Sequence, residues 1–377
     1  MLQPNPFIIT ADYFGPKYFC DRTTETEALE GNIRNGRNTV LVSSRRMGKS
    51  GLIAHVFGRE LVQNNFRSFS VDLYSTSSLA EMILLLAKEI TGQLKSKEER
   101  FLESFLSVVK SLRVGFKMDA MTGQLVFDLS LGEISRPADS LAELFEYLEK
   151  SDIPCLVAID EFQKIADYPD SNVVGLLRTY VQKCRHTWFI FAGSDRRMME
   201  KLFNNPSEPF YMSCSPLYLE AIDYQKYFEF ASYHFNAASK NIEEDCFRRI
   251  YDLFEGHTWY VQRLLNEMYA WTNPGETATS EGFSDILEYV IKTYARSFQE
   301  QMGAMPDSHK QLLIAIAKEG VAKQLTSIAF CKKYSMKSPS TVQSALRVLH
   351  DDGVVNRKDS GFYVTNRLLG LWLKREY

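Results

Sequence analysis

Residues Val40 to Leu61 read VLVSSRRMGKSGLIAHVFGREL. An apolar, β-branched run passes through a short polar loop into a helical pattern, with Gly48-Lys49-Ser50 at the joint. A strand that empties through glycine and lysine into a helix start can hold a phosphate, because successive backbone N–H groups turn inward where the helix dipole favours an anion. The spacing G-x-x-x-x-G-K-[ST] is met except at its first position, where Ser43 replaces glycine. A Gly-Lys-[Ser/Thr] triplet arises by chance in roughly one chain in five of this length, so the surrounding sequence has to carry the assignment.

As a phosphate cradle the loop would comprise Ser43, Ser44, Arg45, Arg46, Met47, Gly48, Lys49, Ser50 and Gly51. Gly48 allows close backbone approach, Lys49 reaches the β and γ phosphates, and the Ser50 hydroxyl ligates Mg²⁺. Ser43 fits this role if it keeps a negative φ. The competing account is a solvated loop with a stray lysine.

Outward from the loop, residues 24–36 read as a helix, NTVLVS as a buried strand and GKSGLIAHVFGRELVQN as one helix. FRSFSVDLY returns as a strand and SLAEMILLLAKEITGQLK as an amphipathic helix. This order implies right-handed crossovers and a largely parallel sheet. Apolar and polar residues then alternate on both sides of DAMTGQ, which reads as a β-hairpin inserted near 112–131. The αβ rhythm resumes with a helix over 138–150, the strand CLVAI, a helix over 171–185 and the strand WFIFAG.

The second constellation is CLVAIDEFQKI, Cys155 to Ile165. An apolar strand ending in Asp160-Glu161 puts two carboxylates at the carboxyl edge of a parallel sheet, where ligands bind in open α/β folds. Asp160 suits a Mg²⁺ contact through water, and Glu161 could orient or deprotonate an attacking water. Alone, the pair could equally be an acidic cap on the next helix. The third is WFIFAGSDRRMMEKLF. Ser194 follows a strand expected beside the Asp160 strand, so its hydroxyl either reaches the γ-phosphate or the attacking water, or else caps the following helix. Arg196 and Arg197 either neutralise phosphoryl charge or form a solvated helix face.

At 377 residues the chain suggests two or three domains. Six cysteines lack C-x-x-C pairing and six histidines lack metal spacing, which points to reduced thiols and no histidine-based metal site. The first residues lack a basic start with a continuous apolar run, and no window approaches a membrane span, so a cytoplasmic protein without membrane association is expected. Net charge is −3, but residues 307–377 carry 12 Lys/Arg against 6 Asp/Glu, or +6, leaving −9 for the rest. A basic tail on an acidic body suggests two different partners.

Together SSRRMGKSGL, AIDEFQKI, FAGS and SPLYLE resemble the archaeal-type ATPase family, a branch related to STAND and AAA+ P-loop NTPases. YFCDRTTETEAL is similar to that family's F-x-G-R-x-x-E segment, with Asp21 in place of glycine and Arg22 retained. YDLFEGHTWYVQRL resembles its Gly-His-Pro lid motif, with Gly256 and His257 present and Thr258 where proline is expected. The resemblance implies an α/β P-loop NTPase core with a parallel sheet over 1–221, a helical lid over 222–304 and a C-terminal winged helix-turn-helix over 305–377. It implies ATP or ADP and Mg²⁺ as ligands, Arg22 at the nucleotide, and His257 as a phosphate sensor or else a lid-core histidine.

Residues 222–300 read as helix after helix with no convincing strand. In the tail, SHKQLLIAIAKEG, LTSIAFCKKYS and SPSTVQSALRVLHDDG read as three helices, and VVNRKDSGFYVT as a two-stranded wing. The third helix carries only Arg347 and His350 against Asp351 and Asp352, so base readout, phosphate contact and a protein client all stay open for residues 305–377. The resulting expectation is a slow Mg²⁺-dependent ATPase acting as a regulatory switch, with Glu161, Ser194 and Arg197 catalytic and Ser50 and Asp160 on the metal. A nucleotide-dependent DNA-binding regulator and a non-hydrolysing nucleotide-binding scaffold are the alternatives, and oligomerisation is left open.

Overall fold

The computed structural model describes residues 5–10, 13–94, 105, 109, 115–118, 125–128, 134, 136–358 and 361–377. They form two compact units, one spanning Thr10–Ile222 and the other joining residues up to Ile9 with Asp223–Tyr377.

In the first unit the strands are β1 (Thr39–Val42), β2 (Arg67–Asp72), β3 (Gly115–Met118), β4 (Leu125–Asp128), β5 (Cys155–Asp160), β6 (Thr187–Gly193) and β7 (Ser215–Tyr218). Five of them make one sheet in the order β2-β5-β6-β1-β7, and every pairing in it is parallel. Strands buried on both faces need apolar residues at every position rather than at alternate ones. Accordingly β1 and β5 are buried throughout. Val40, Val42, Val157 and Ile159 face one core, with helices Leu79–Leu94, Pro137–Glu149 and Val173–Lys183. Leu41, Leu156, Ala158, Ile190 and Ala192 face the other, with helices Thr23–Arg34 and Lys49–Phe57. Each fully buried Leu, Ile or Val contributes about 1.5–3 kcal/mol, which is why the sheet rather than its loops fixes the site.

β3 and β4 pair antiparallel from Gly115↔Asp128 to Met118↔Leu125. The expected turn DAMTGQ falls at 119–124, outside the described residues. The single helix read across 48–64 is two, Lys49–Phe57 and Glu60–Asn65, because Arg59 is extended at ψ 150° after Gly58, the weakest helix former short of proline.

The second unit is mostly helical, but it contains two strands that the sequence did not suggest. β8 (Asn241–Ile242) and β9 (Thr277–Ala278) pair in parallel and are too short to leave a periodic signal. Its last part carries helices Asp307–Glu319, Ile328–Lys333, Pro339–Asp351 and Arg367–Glu376. Ser338 caps the third of them, accepting from Thr341 N at 3.2 Å, with Pro339 following in the first turn. The wing has three strands instead of two: β10 (Ala322–Lys323) joins β11 (Val355–Lys358) and β12 (Gly361–Val364) in the order β10-β12-β11. Phe7 is fully buried in this unit, edge-on to Tyr269 and Phe230, although its place in the chain had grouped it with the core. No helix among the described residues is long and apolar enough to cross a membrane.

Candidate functional site

The strand order sets the site. β6 lies between β1 and β5, so Ser194 emerges between the loop that follows β1 and the acids that end β5.

In the loop, Gly48 takes φ 95°, a left-handed backbone that glycine adopts without cost, and it caps the helix Lys49–Phe57. Arg46 also has a positive φ of 68°, whereas Ser43 does not. Glycine's freedom is therefore not needed at position 43, and the buried serine instead donates its hydroxyl to Ser44 O at 3.0 Å. Arg22 is buried, donates to Met47 O at 3.1 Å and pairs with Glu25 at 2.8 Å, so it braces the loop from outside.

Asp160 is buried and uses both carboxylate oxygens: Oδ2 accepts from Ser50 Oγ at 2.6 Å, and Oδ1 accepts from Glu161 N at 2.9 Å. Glu161 is held in the left-handed region at φ 53°, a local strain of the kind found at functional positions. Its Oε2 accepts from Ser194 Oγ at 2.6 Å and from Gln163 Nε2 at 2.5 Å, while its Oε1 lies 3.8 Å from the Lys49 ammonium. Lys49, Ser50, Asp160, Glu161 and Ser194 thus converge from three separate segments. Ser194 does not cap the next helix; Asp195 does, accepting from Met198 N at 2.9 Å.

Arg197 is exposed, and Arg196 is taken by Glu200 at 2.9 Å. His257 lies in the second unit, with Nδ1 2.9 Å from Phe254 O. Burial, and then the Arg367 charge, push its imidazole below the ordinary range.

Two nearby residues were missed. Gln163 stands two positions after Glu161 in the same motif. Asp72 pairs in register with Asp160, and burial first, then the charges of Asp160 and Glu161, raise its carboxyl above the ordinary range despite a hydrogen bond from Tyr74 N and the Lys49 charge. Its position at the carboxyl end of a parallel strand was a readable signal. Chemically, the cluster offers a buried cation for phosphate, a serine–aspartate pair of hard oxygen donors that fits Mg²⁺, and a carboxylate oriented by two hydrogen-bond donors beside an ammonium.

A family model described as a probable winged helix domain matches residues 296–375. No curated protein matches the sequence. Among solved structures, a Walker-type ATPase of Pyrococcus abyssi superposes with a TM-score of 0.65 at 17% identity, covering 98% of this chain and 99% of that one. The ORC2 protein of Aeropyrum pernix, in ADPNP–ADP complexes, gives 0.59 at 16% identity over 98% and 96%. The ORC1 protein of the same organism, in complex with DNA, gives 0.54 at 11% identity over 96% and 94%. The chain shares with them an α/β P-loop NTPase fold, and it carries a winged helix at its C-terminal end.

Proposed function

We propose that this protein is a slow, Mg²⁺-dependent ATP-binding and ATP-hydrolysing switch whose winged helix is the output. The supporting observation is the meeting of Ser50 with Asp160 at 2.6 Å and of Lys49 with Glu161 at 3.8 Å, across 110 and 112 positions of sequence. A stray lysine on a solvated loop has no reason to sit buried against the acids of another strand.

In this reading the amides of residues 43–51 wrap the phosphates and Lys49 neutralises them. Ser50 and Asp160 hold Mg²⁺, which when bound offsets phosphate charge and orients the γ group. Glu161 takes a proton from the attacking water. The water oxygen bonds to the γ phosphorus, the bond to the β–γ bridging oxygen breaks, and ADP leaves. Ser194 donates to Glu161 and keeps the carboxylate turned toward that water. Residues 222–304 act as the lid and carry His257. DNA is the partner to test first at residues 305–377, since the structure of the ORC1 protein is a complex with DNA.

The test is an ATP-binding and phosphate-release assay on the full chain with Mg²⁺, with and without mixed-sequence DNA, comparing wild type with Glu161→Gln. The amide keeps the shape but takes no proton, so the variant should bind ATP and hydrolyse it roughly 10² to 10⁴ times more slowly. A variant that turns over at the wild-type rate would place water activation elsewhere. A wild-type chain that binds no nucleotide would overturn the reading.

A further inference from the structure

Phosphoryl transfer spreads negative charge over the γ oxygens. A cation is needed on that side of the site besides Lys49. Arg196 is engaged by Glu200 at 2.9 Å and Glu220 at 3.9 Å, and it lies 5.2 Å over the Tyr218 ring. Arg197 is exposed. Arg45 is placed differently. Its Nε is 3.4 Å from Ser194 Oγ, the hydroxyl that donates to Glu161, and its guanidinium lies 5.5 Å over the ring of Tyr74, just past β2. It has no carboxylate partner among the described residues. A guanidinium parked on a hydroxyl and a ring face keeps its charge available for an anion, whereas one paired with an acid does not.

We infer that Arg45 reads the γ-phosphate from within its own chain, favouring triphosphate over diphosphate and offsetting the charge that develops during hydrolysis. This rests on the nucleotide reading above. Ser194 marks the level of the transferred group, because it binds the carboxylate that must address the attacking water. Arg45, three residues before Gly48 in the loop, reaches that level at Ser194, whereas Lys49, buried at the helix start, reaches it at Glu161. Its N–H groups donate to non-bridging γ oxygens as water attacks and ADP leaves; the proton still goes to Glu161, and Arg45 exchanges none. Because the loop and the guanidinium belong to one chain, no second copy is required to complete the charge balance.

The test measures ADP and ATPγS affinities by calorimetry with Mg²⁺, and phosphate release from ATP, for the full chain and for Arg45→Ala and Arg45→Lys. Arg45→Ala should keep ADP affinity, which also reports an intact fold. It should lose roughly 10-fold or more in ATPγS affinity, the scale of one charge-assisted contact, and about 10³-fold in phosphate release. Arg45→Lys should recover only part of either, since a point charge cannot fork across two oxygens. Mixing Arg45→Ala with Lys49→Ala should leave the rate at the level of Arg45→Ala alone. Recovery on mixing would assign the cation to a neighbouring copy and overturn the inference. So would an equal loss of ADP and ATPγS affinity, or wild-type preference and turnover in Arg45→Ala; both leave the nucleotide reading standing. A wild type that binds neither nucleotide overturns both.

Discussion

Gly193 holds the geometry of the Glu161 cluster by what it lacks. A Cβ there would lie 2.4 Å from Met199 Sδ and 2.5 Å from Gln163 Oε1, and both of those side chains are buried. The Gln163 amide is thereby oriented: its nitrogen donates to Glu161, and its oxygen faces the glycine with no hydrogen-bond partner. An unpartnered buried acceptor costs about 1–3 kcal/mol, yet the opposite orientation would set that oxygen against a carboxylate. Gly193→Ala is therefore expected to destabilise the first unit by about 1–3 kcal/mol, the usual cost of overpacking, and to lower turnover more than nucleotide affinity as Gln163 is displaced. Thermal melting and phosphate release on one preparation check both parts. A variant with wild-type melting and wild-type turnover would show that Gln163 has no hold on Glu161.

Among the elements, the turn before helix Thr258–Trp271 carries a pH dependence with a definite sign. Burial, then the Arg367 charge, hold His257 below its usual 6.5; the Phe254 carbonyl and Glu255 pull upward without prevailing, and Lys358 adds a smaller downward push. The unfolded chain therefore binds more protons below about pH 6.5, and stability falls with pH until the folded value is reached. Burial would raise the Glu255 carboxyl, but Lys358 and Arg367 outweigh it and hold the group below its usual 4.5, so its contribution is lost only at lower pH. His257→Gln should flatten the pH 7 to 5 part of a denaturation series, and the difference from wild type separates it from His55, which burial also lowers in the other unit. An unchanged slope would mean that His257 titrates alike in both states. The same scale explains what could be read from sequence and what could not. The β-loop-helix and β-acid-acid segments were legible because each bears its own period and its own chemistry. At the departures from the resembled pattern the backbone is still the one that pattern serves: Asp21 sits at φ 52°, where glycine would be the easier residue, and Thr258 opens a helix at a position that suits proline. That β6 lies beside β5 was expected, but that β1 flanks β6 on its other side was not legible, since lateral strand order depends on contacts remote in sequence. Nor were β8, β9 and β10, because two residues cannot show a period.

At the scale of the whole chain, the excess of positive charge in residues 307–377 is less available than its count suggests. Lys333 is paired with Glu319 at 2.6 Å and Arg347 with Asp351 at 3.7 Å. Within the second unit, Glu255 binds two more cations at once, Lys358 on the wing at 2.8 Å and Arg367 at the start of the last helix at 2.7 Å. Arg367 is largely buried and lies 4.6 Å over the ring of Tyr363, so it has a second reason to stay; Lys358 is 43% exposed and does not. Exposed pairs are worth only about 0–1 kcal/mol, a cost that a phosphate contact could offset. Glu255→Gln removes the competing charge and should free Lys358 in particular. If the wing meets a nucleic acid backbone, the variant should bind mixed-sequence DNA more tightly at low salt. Its log affinity should also fall more steeply with log salt, by about 1 in slope for the one added phosphate contact. Adding Lys358→Gln to Glu255→Gln should cancel that increase and return the slope to the wild-type value. Fluorescence anisotropy over a salt series reads both. Identical slopes in all three proteins would remove the wing from any DNA contact and leave this surface to a protein client.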